Sequence, residues 1–235
     1  MSNSYMRILM ILAKKVDISL LDTWFTKVLT LPPKYCIVRR GVDKIPTSLD
    51  TYDLVLIHGS LEVILKNYCT SWMQDEKNLI KSIIRSQKPT IGICWGSTHI
   101  AHELGVPTLQ FSDYAFGIQN NKVICSTGCT ADISDYISVF DGIRFIQPSG
   151  NLTPHVILSN GTVDVYSYQN YIMGSKGIIG LTIDNYKNSL NIMLGPQKKQ
   201  MIDSYLEKVY AAQDRKFTQD KKLLRNFLVN NGLLS

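Results

Sequence analysis

Short apolar runs alternate with amphipathic segments through the first hundred residues of the chain. Four of these runs have the length and the continuous hydrophobicity of strands that are buried on both faces of a sheet. They are Arg7–Leu12, Tyr35–Arg39, Tyr52–Ile57 and Thr90–Cys94. Apolar residues at helical spacing follow Asp17 up to about Leu29, and again fill Trp72–Ser86. Strand and helix therefore alternate, which is the pattern of a parallel sheet with helices on its faces.

Beyond residue 110 the pattern changes, because apolar runs follow one another with turn signals instead of helices between them. We expect strands at Lys122–Ser126, His155–Leu158, Val163–Tyr168, Gly177–Ile183 and Leu190–Leu194. Turn residues such as Asn160-Gly161 separate them and favour antiparallel hairpins. Two helical patterns, Gln197–Arg215 and Gln219–Asn230, close the chain.

The order of elements predicts an α/β fold, with a doubly wound, mostly parallel sheet to which antiparallel strands and C-terminal helices are added. No linker, repeat or low-complexity segment divides the chain, so we expect a single domain over residues 1–235. Residues 197–235 would form a helical extension packed on that domain. Ligands of such sheets bind at the carboxyl ends of the parallel strands, which here lie near Gly59 and Cys94.

The charge and the apolar runs exclude several classes of protein. The formal net charge is +6, from 25 Lys and Arg against 19 Asp and Glu. Basic residues near the C-terminus are mixed with acidic ones at helical spacing, which favours solvated helix faces over a nucleic-acid surface. No apolar run approaches the roughly 18 residues of a membrane span, and Lys14-Lys15 follow the first run, where a signal peptide would have small residues. We therefore expect a cytoplasmic protein that binds neither nucleic acid nor membrane.

The five cysteines predict free thiols rather than disulfides or a metal centre. They are Cys36, Cys69, Cys94, Cys125 and Cys129. An odd number in a chain without a signal peptide is typical of a reducing compartment. Cys125 and Cys129 lack a second ligand pair, and the run of His99, His102 and Glu103 lacks a further ligand, so we interpret that run as an ordinary helix surface. No metal and no cofactor are expected.

The segment with the most chemical content is Gly92-Ile93-Cys94-Trp95-Gly96. It places a cysteine between a buried strand and a helix expected over Thr98–Leu104. A sharp strand-to-helix turn exposes such a side chain at a helix N-terminus, where the backbone dipole favours a thiolate. Glycines on both sides leave room for the tight turn. Cys94 is therefore the candidate nucleophile.

This elbow, together with His58-Gly59-Ser60 at the end of the preceding strand, resembles the class I glutamine amidotransferases. Within that family it is most similar to the stand-alone branch related to the amidotransferase domain of GMP synthase. The resemblance implies a flavodoxin-like fold and an attack of Cys94 on the side-chain amide of glutamine. It also implies an oxyanion hole formed by the backbone N–H of Trp95 and that of Gly59 or Ser60.

The family also requires a late histidine and glutamate, in a His-Pro-Glu motif that follows a strand, and this sequence has neither there. All four histidines lie at or before residue 155; they are His58, His99, His102 and His155. In the best register the motif falls on Leu194-Gly195-Pro196-Gln197, so that Gly195 and Gln197 occupy the triad positions. A competing register uses Ile183–Tyr186.

Three further residues are candidates for the same pocket. Two positions that hold substrate in the family are altered here, and they correspond to Thr98 and Tyr168. His58 ends the strand beside the elbow strand and is a candidate binding residue.

Three functions fit these residues. The first is a degenerate amidotransferase-like protein that serves as a binding module or partner subunit. The second is a thiol enzyme that uses Cys94 and a non-standard helper on a γ-glutamyl or other amide or ester substrate. The third is a glutaminase that delivers ammonia to a partner synthetase and needs a histidine from elsewhere. We expect the first, because the general base, its orienting group and two substrate positions are altered together. The expected partners are a small amide or γ-glutamyl ligand and a synthetase-like protein.

Overall fold

The structure, a computed structural model, describes residues 5–13, 25–29, 32–60, 71–180 and 198–234, together with residues 187, 190, 191, 194 and 195. Most of the helix expected from Asp17 to Leu29 lies outside these residues, although Phe25 and Thr26 near its end are helical. Gln197, one of the two predicted triad positions, also lies outside them.

Nine strands in the described part of the chain form one sheet. They are β1 (Met6–Leu12), β2 (Pro33–Arg39), β3 (Leu54–Ile57), β4 (Thr90–Ile93), β5 (Thr108–Lys122), β6 (Asp135–Ile146), β7 (Thr153–Ile157), β8 (Val163–Tyr168) and β9 (Ile172–Ser175). The order is β2-β1-β3-β4-β9-β8-β6-β5, with β7 paired to β8. The half from β2 to β9 is parallel and the remaining pairs are antiparallel, so the predicted mixed α/β fold is confirmed.

Three helices of the described chain pack against this sheet. They are α1 (Ser71–Ser86), α2 (Trp95–Glu103) and α3 (Lys199–Asn230), and a 3-10 turn covers Gly128–Thr130. None of these helices combines the length and the apolar character needed to cross a membrane.

The core has two layers, one on each face of the sheet, and β1 contributes side chains to both. Side chains alternate along a strand, so Ile8 and Leu9 point to opposite sides of the sheet. Ile8 belongs to the cluster that contains Phe227 of α3, and Leu9 belongs to the cluster that contains Ile83 of α1. Helices therefore cover both faces, as the continuous hydrophobicity of the strands predicts.

The parallel half follows the sequence closely. The four strands expected in the first hundred residues are confirmed to within two residues at each end, and α1 begins one residue before the predicted Trp72. The helix after Cys94 begins at Trp95, earlier than the predicted Thr98. Strong periodicity and complete burial make these elements readable from local sequence.

The antiparallel half follows the predictions only in part. The strand over Val163–Tyr168 is confirmed as β8, and the one expected over His155–Leu158 is β7, which begins two residues earlier. The strand expected over Gly177–Ile183 is wrong over residues 177–180, because the strand ends earlier, as β9, at Ser175, and residues 181–183 lie outside the described part of the chain. The strand expected over Lys122–Ser126 is also wrong, because β5 is a long edge strand that ends at Lys122. Most of β5 is polar or half-buried, as is usual for an edge strand, and this conceals its period of two.

The C-terminal part is more helical than predicted. A strand over Leu190–Leu194 is wrong: the described residues at 187, 190, 191 and 194 are all helical. Leu190 and Leu194 are both buried and lie four residues apart, which is a helical spacing. The two expected helices are the single helix α3, because no glycine or proline interrupts the chain between Arg215 and Gln219.

Candidate functional site

Cys94 lies at a sharp turn between β4 and α2, with backbone angles of φ 54° and ψ −112°. A positive φ is strained for a residue that carries a Cβ, so the surrounding structure has to impose it. The backbone N–H of Cys94 donates to the carbonyl of Ser175 at 2.8 Å, and its own carbonyl accepts from the N–H and the hydroxyl of Thr98 at 3.1 and 3.2 Å. The elbow predicted from the sequence is therefore present and is held from both sides.

Gly96 allows this turn to form. A Cβ at this position would lie 2.0 Å from the carbonyl oxygen of Ile57, at the end of β3. The first turn of α2 therefore rests directly on the neighbouring strand, and no larger residue fits there.

Two charged side chains stand beside the sulfur of Cys94. Because Ser175 of β9 pairs with Ile93 of β4, the next residue, Lys176, falls next to the cysteine. The ammonium nitrogen of Lys176 lies 3.9 Å from Cys94 Sγ, and Asp141 Oδ1 from β6 lies at the same distance. Lys176 also donates to the backbone carbonyl of Asp141, and both side chains are almost completely buried.

Burial governs the protonation of this group. It raises the pKa of the Cys94 thiol, and it does so against two opposing influences, the ammonium of Lys176 and a hydrogen bond from the N–H of Trp95. Burial likewise raises the pKa of the Asp141 carboxyl, which Lys176 partly offsets. A thiol with a raised pKa is protonated at neutral pH, so Cys94 is a weak nucleophile in this environment.

The loop at the end of β3 contacts the cysteine. A Cβ added at Gly59 would lie 3.1 Å from Cys94 Cβ and 3.5 Å from its sulfur. Ser60 is buried, and in the part of the chain that the structure describes its hydroxyl has no hydrogen-bond partner. Gly59, Ser60 and Trp95 are thus all brought to Cys94, as the elbow motif predicts.

A buried ionic group that the sequence did not reveal supports this loop. Arg40 follows β2 and donates from Nε to Glu76 Oε2 at 2.6 Å. The remaining guanidinium nitrogens donate to the carbonyls of His58 at 2.7 Å and Gly59 at 3.0 Å. Burial by itself would raise the pKa of Glu76, but Arg40 and His99 together hold it below its usual value.

His99 corrects an expectation. The sequence indicated an ordinary helix surface for His99 and His102, and His102 is indeed exposed. His99 is buried instead, with Nδ1 at 2.7 Å from Glu76 Oε1 and its ring 5.2 Å from that of Trp95. The reason is the orientation of α2, which turns this side chain towards α1 and away from solvent. No group of metal-ligating side chains is found among the residues that the structure describes.

Three other predicted residues do not line the cavity beside Cys94. His58 is half-buried, and burial lowers its pKa to about 4. Tyr168 packs edge to face on Tyr171, with the ring centres 5.8 Å apart. Gly195 follows described residues that are helical, at 190, 191 and 194, and not the predicted strand.

The cavity beside Cys94 is small. Among its lining residues are Ser60, Cys94, Trp95, Thr98, Asp141 and Lys176. Its described part has room for about one water molecule. Asp141 and Lys176 were not singled out in the sequence. In the sequence, Lys176 is marked only by its position shortly after the apolar residues Ile172 and Met173. Its place beside Cys94 follows from the pairing of β9 with β4, which the sequence does not reveal.

Comparisons with known proteins agree with this architecture. No protein-family model matches the sequence, and no curated protein matches it. Solved structures do match over almost the whole chain. A glutamine amidotransferase from Thermotoga maritima aligns with 96% of this chain and 99% of its own, at a TM-score of 0.78 and 16% identity. A glutamine amidotransferase from Methylobacillus flagellatus aligns over 97% and 96%, at 0.77 and 10% identity.

A third similar structure is a protein from Thermoplasma acidophilum described as a GMP synthase subunit. It aligns with 98% of this chain and 96% of its own, at a TM-score of 0.66 and 14% identity. At such identities the likeness establishes architecture and not activity. The chain therefore has the fold of the class I glutamine amidotransferases.

Proposed function

We propose that this chain uses the amidotransferase fold as a binding subunit for a partner protein and does not hydrolyse glutamine. The observation that carries the proposal is the neighbourhood of the Cys94 sulfur, where Lys176 and Asp141 stand at 3.9 Å. Nucleophilic attack by a cysteine requires a group that removes the thiol proton and later returns it to the leaving group. An ammonium group has no lone pair with which to accept that proton, and Asp141 Oδ1, at 3.9 Å, lies outside the roughly 2.6–3.2 Å reach of a general base.

The second support is the state of the thiol itself. Burial raises the pKa of Cys94, and the nearby Asp141 adds to that effect. No histidine is among the residues that line the cavity. A protonated thiol without an imidazole lacks the acid–base catalyst of the family, and such a catalyst typically contributes about 10²–10⁴-fold to the rate.

The third support comes from a similar structure. A role as a subunit is favoured by the similar Thermoplasma acidophilum structure, which is described as a subunit.

The decisive experiment measures ammonia release from glutamine by the purified chain, with Cys94→Ser as the matched control. We expect the same background rate from both proteins, and no adduct at Cys94 after treatment with the glutamine analogue diazo-oxo-norleucine. Ammonia release by the wild type that Cys94→Ser abolishes would overturn the proposal. The subunit role is tested by affinity purification from native cells, where a partner in stoichiometric amount is expected.

A second candidate function, thiol chemistry on another amide or ester, has one observation in its favour. The ammonium of Lys176 and the N–H of Trp95 both favour the thiolate form of Cys94. This candidate predicts labelling of Cys94 by iodoacetamide at neutral pH without labelling by the glutamine analogue. Resistance to both reagents favours the binding role over thiol chemistry.

A further inference from the structure

Cys94 and Lys176 form a pair of nucleophilic side chains that a binding role does not use. Each residue directly follows its strand, β4 or β9, and Ile93 of β4 pairs with Ser175 of β9. The backbone N–H of Cys94 donates to the carbonyl of Ser175 at 2.8 Å, and the N–H of Lys176 donates to the carbonyl of Asp164 at 2.7 Å. The register of the sheet therefore places Lys176 Nζ at 3.9 Å from Cys94 Sγ.

The amine of Lys176 is held in the interior beside the thiol. A lysine side chain normally extends its ammonium group into water, but Lys176 is only 3% exposed. Its Nζ donates to the backbone carbonyl of Asp141 and lies 5.0 Å from the ring centre of Phe145. These contacts keep the nitrogen from turning to solvent, so the thiol and the amine meet at a high effective concentration.

Cys94 is the more accessible member of the pair. It is half-buried, and it lines the same cavity as Lys176. The described part of that cavity has room for about one water molecule, which is enough for one bridging oxygen atom next to the sulfur. A small oxidant therefore has access to the sulfur, with the amine of Lys176 adjacent to it.

The distance between the two groups favours one kind of oxidation product. A thiol and a peroxide give a sulfenic acid, which condenses with a nearby nucleophile. A direct S–N bond would require a large displacement of Lys176 from its 3.9 Å position, whereas a link through one oxygen atom spans more of that distance. The hydrogen bond of Lys176 to the Asp141 carbonyl opposes a large displacement, so it favours the link through oxygen.

We propose that Cys94 and Lys176 are an oxidative modification site, at which hydrogen peroxide joins Cys94 Sγ to Lys176 Nζ through a single oxygen atom. The link ties the end of β4 to the end of β9 and consumes the thiol. It requires neither glutamine nor a partner protein, so it goes beyond the proposed function and does not depend on it.

The reaction consumes two molecules of hydrogen peroxide and releases three of water. The sulfur of Cys94 attacks the first peroxide. The S–O bond forms as the O–O bond breaks, and the departing hydroxide takes the thiol proton, which leaves a sulfenic acid. The unprotonated amine of Lys176 attacks the second peroxide in the same way and becomes a hydroxylamine. The hydroxylamine oxygen then bonds to the sulfur, and the sulfenic hydroxyl leaves as water with the hydroxylamine proton. Sulfur and nitrogen each lose two electrons, and the two O–O bonds take up all four.

The test treats the reduced, folded full chain with hydrogen peroxide at about pH 9, because burial raises the pKa of the Cys94 thiol and the first step needs its thiolate. Mass spectrometry of a proteolytic digest then detects linked peptides. We expect one pair joined at Cys94 and Lys176, heavier by about 14 Da than the two reduced peptides together, because one oxygen is gained and two hydrogens are lost. Dithiothreitol should remove the linked pair and restore both reduced peptides.

Two variants each remove one partner of the link. Lys176→Arg keeps a cation beside the sulfur, but its guanidinium stays protonated and does not act as a nucleophile. Cys94→Ser replaces the thiol by a hydroxyl, and the linked pair should be absent from both variants. Cys36→Ser is the matched control, because Cys36 is also half-buried but its sulfur accepts from the hydroxyl of Tyr52. Its yield of the link should equal that of the wild type. If Lys176→Arg does not fold, the wild type and Cys94→Ser carry the test.

Oxidation of Cys94 to a sulfinic acid without a peptide joined to Lys176 would overturn the proposal, and so would a Cys94 that peroxide leaves unchanged. A linked pair that persists in a folded variant would overturn the assignment of the two residues. A linked pair lighter by about 2 Da would indicate a direct S–N bond and would overturn the link through oxygen. Ammonia release from glutamine, measured separately, contradicts the proposed function but not the link, so the two failures are distinguishable.

Discussion

The ammonium nitrogen of Lys176 lies 3.9 Å from the sulfur of Cys94, and the two residues directly follow β9 and β4, parallel strands that are adjacent only in the folded sheet. Asp141 approaches the same sulfur from β6. The cysteine thus lies between a cation, which lowers its pKa, and a carboxyl group, which raises it, while burial raises it more than either changes it.

Neutralising these two neighbours should move the reactivity of Cys94 in opposite directions. Lys176→Met should slow alkylation of Cys94 by iodoacetamide at pH 8, because the ammonium lowers the pKa of the thiol, and Asp141→Asn should accelerate it, because the carboxyl group raises that pKa. Mass spectrometry of the Cys94 peptide over a pH series measures both. Lys44→Met, at an exposed position, is the control. A shift of the same sign in both variants would contradict this electrostatic account.

Gly96→Ala should destabilise the fold severely. The added Cβ would lie 2.0 Å from the carbonyl oxygen of Ile57, and neither the helix nor the strand can move away without breaking the elbow. We expect a loss of at least about 3 kcal/mol in the free energy of unfolding, measured in urea. Gly150→Ala, where nothing lies within 4 Å of the new atom, should change it by less than about 0.5 kcal/mol. Similar losses in both variants would show that the contact with Ile57 is not the cause.

Removing Arg40 should be far more costly than removing an exposed arginine. In Arg40→Met the carboxylate of Glu76 stays buried without its main cation, and we expect a loss of about 3–5 kcal/mol. Arg215→Met breaks an ion pair with Asp135 whose side chains are 52% and 38% exposed, and should cost less than about 1 kcal/mol. Urea denaturation at pH 7 compares the two. Equal costs would mean that burial of the Arg40–Glu76 pair has no energetic consequence.

His58 should make the stability of the protein depend on pH. Burial lowers its pKa from 6.5 to about 4, so between these values the unfolded chain binds more protons than the folded one. Above pH 6.5 His58 is neutral in both states and does not lower the free energy of unfolding. As the pH falls from 6.5 towards 4, protonation of the unfolded chain lowers the free energy of unfolding by up to about 3 kcal/mol.

The corresponding measurement is a series of denaturation curves from pH 7 to pH 4. His58→Gln should flatten the dependence over this interval, while His102→Gln, at an exposed histidine, should leave it as in the wild type. A wild-type profile that His58→Gln does not alter would assign the pH dependence to other groups.

The elements that could be read from the sequence are those with short-range causes. The strands β1 to β4 are continuous apolar runs. A cysteine flanked by glycines at the end of such a run indicates the elbow. The long hairpin of β5 and β6 escaped prediction because its first strand is an edge strand with mostly polar positions. β9 escaped because four residues that end in Gly174-Ser175 carry little strand signal of their own.

The sequence by itself determined that a parallel sheet would present Cys94 at a strained turn, because strand hydrophobicity and the requirement for glycine at position 96 are local properties. Only the tertiary structure decided what surrounds the sulfur. Lys176, Asp141 and the Arg40–Glu76–His99 group reach the elbow from strands and helices far apart in the chain. Their contacts depend on strand order and register, which are set by packing over the whole sheet, and no short stretch of sequence contains that information.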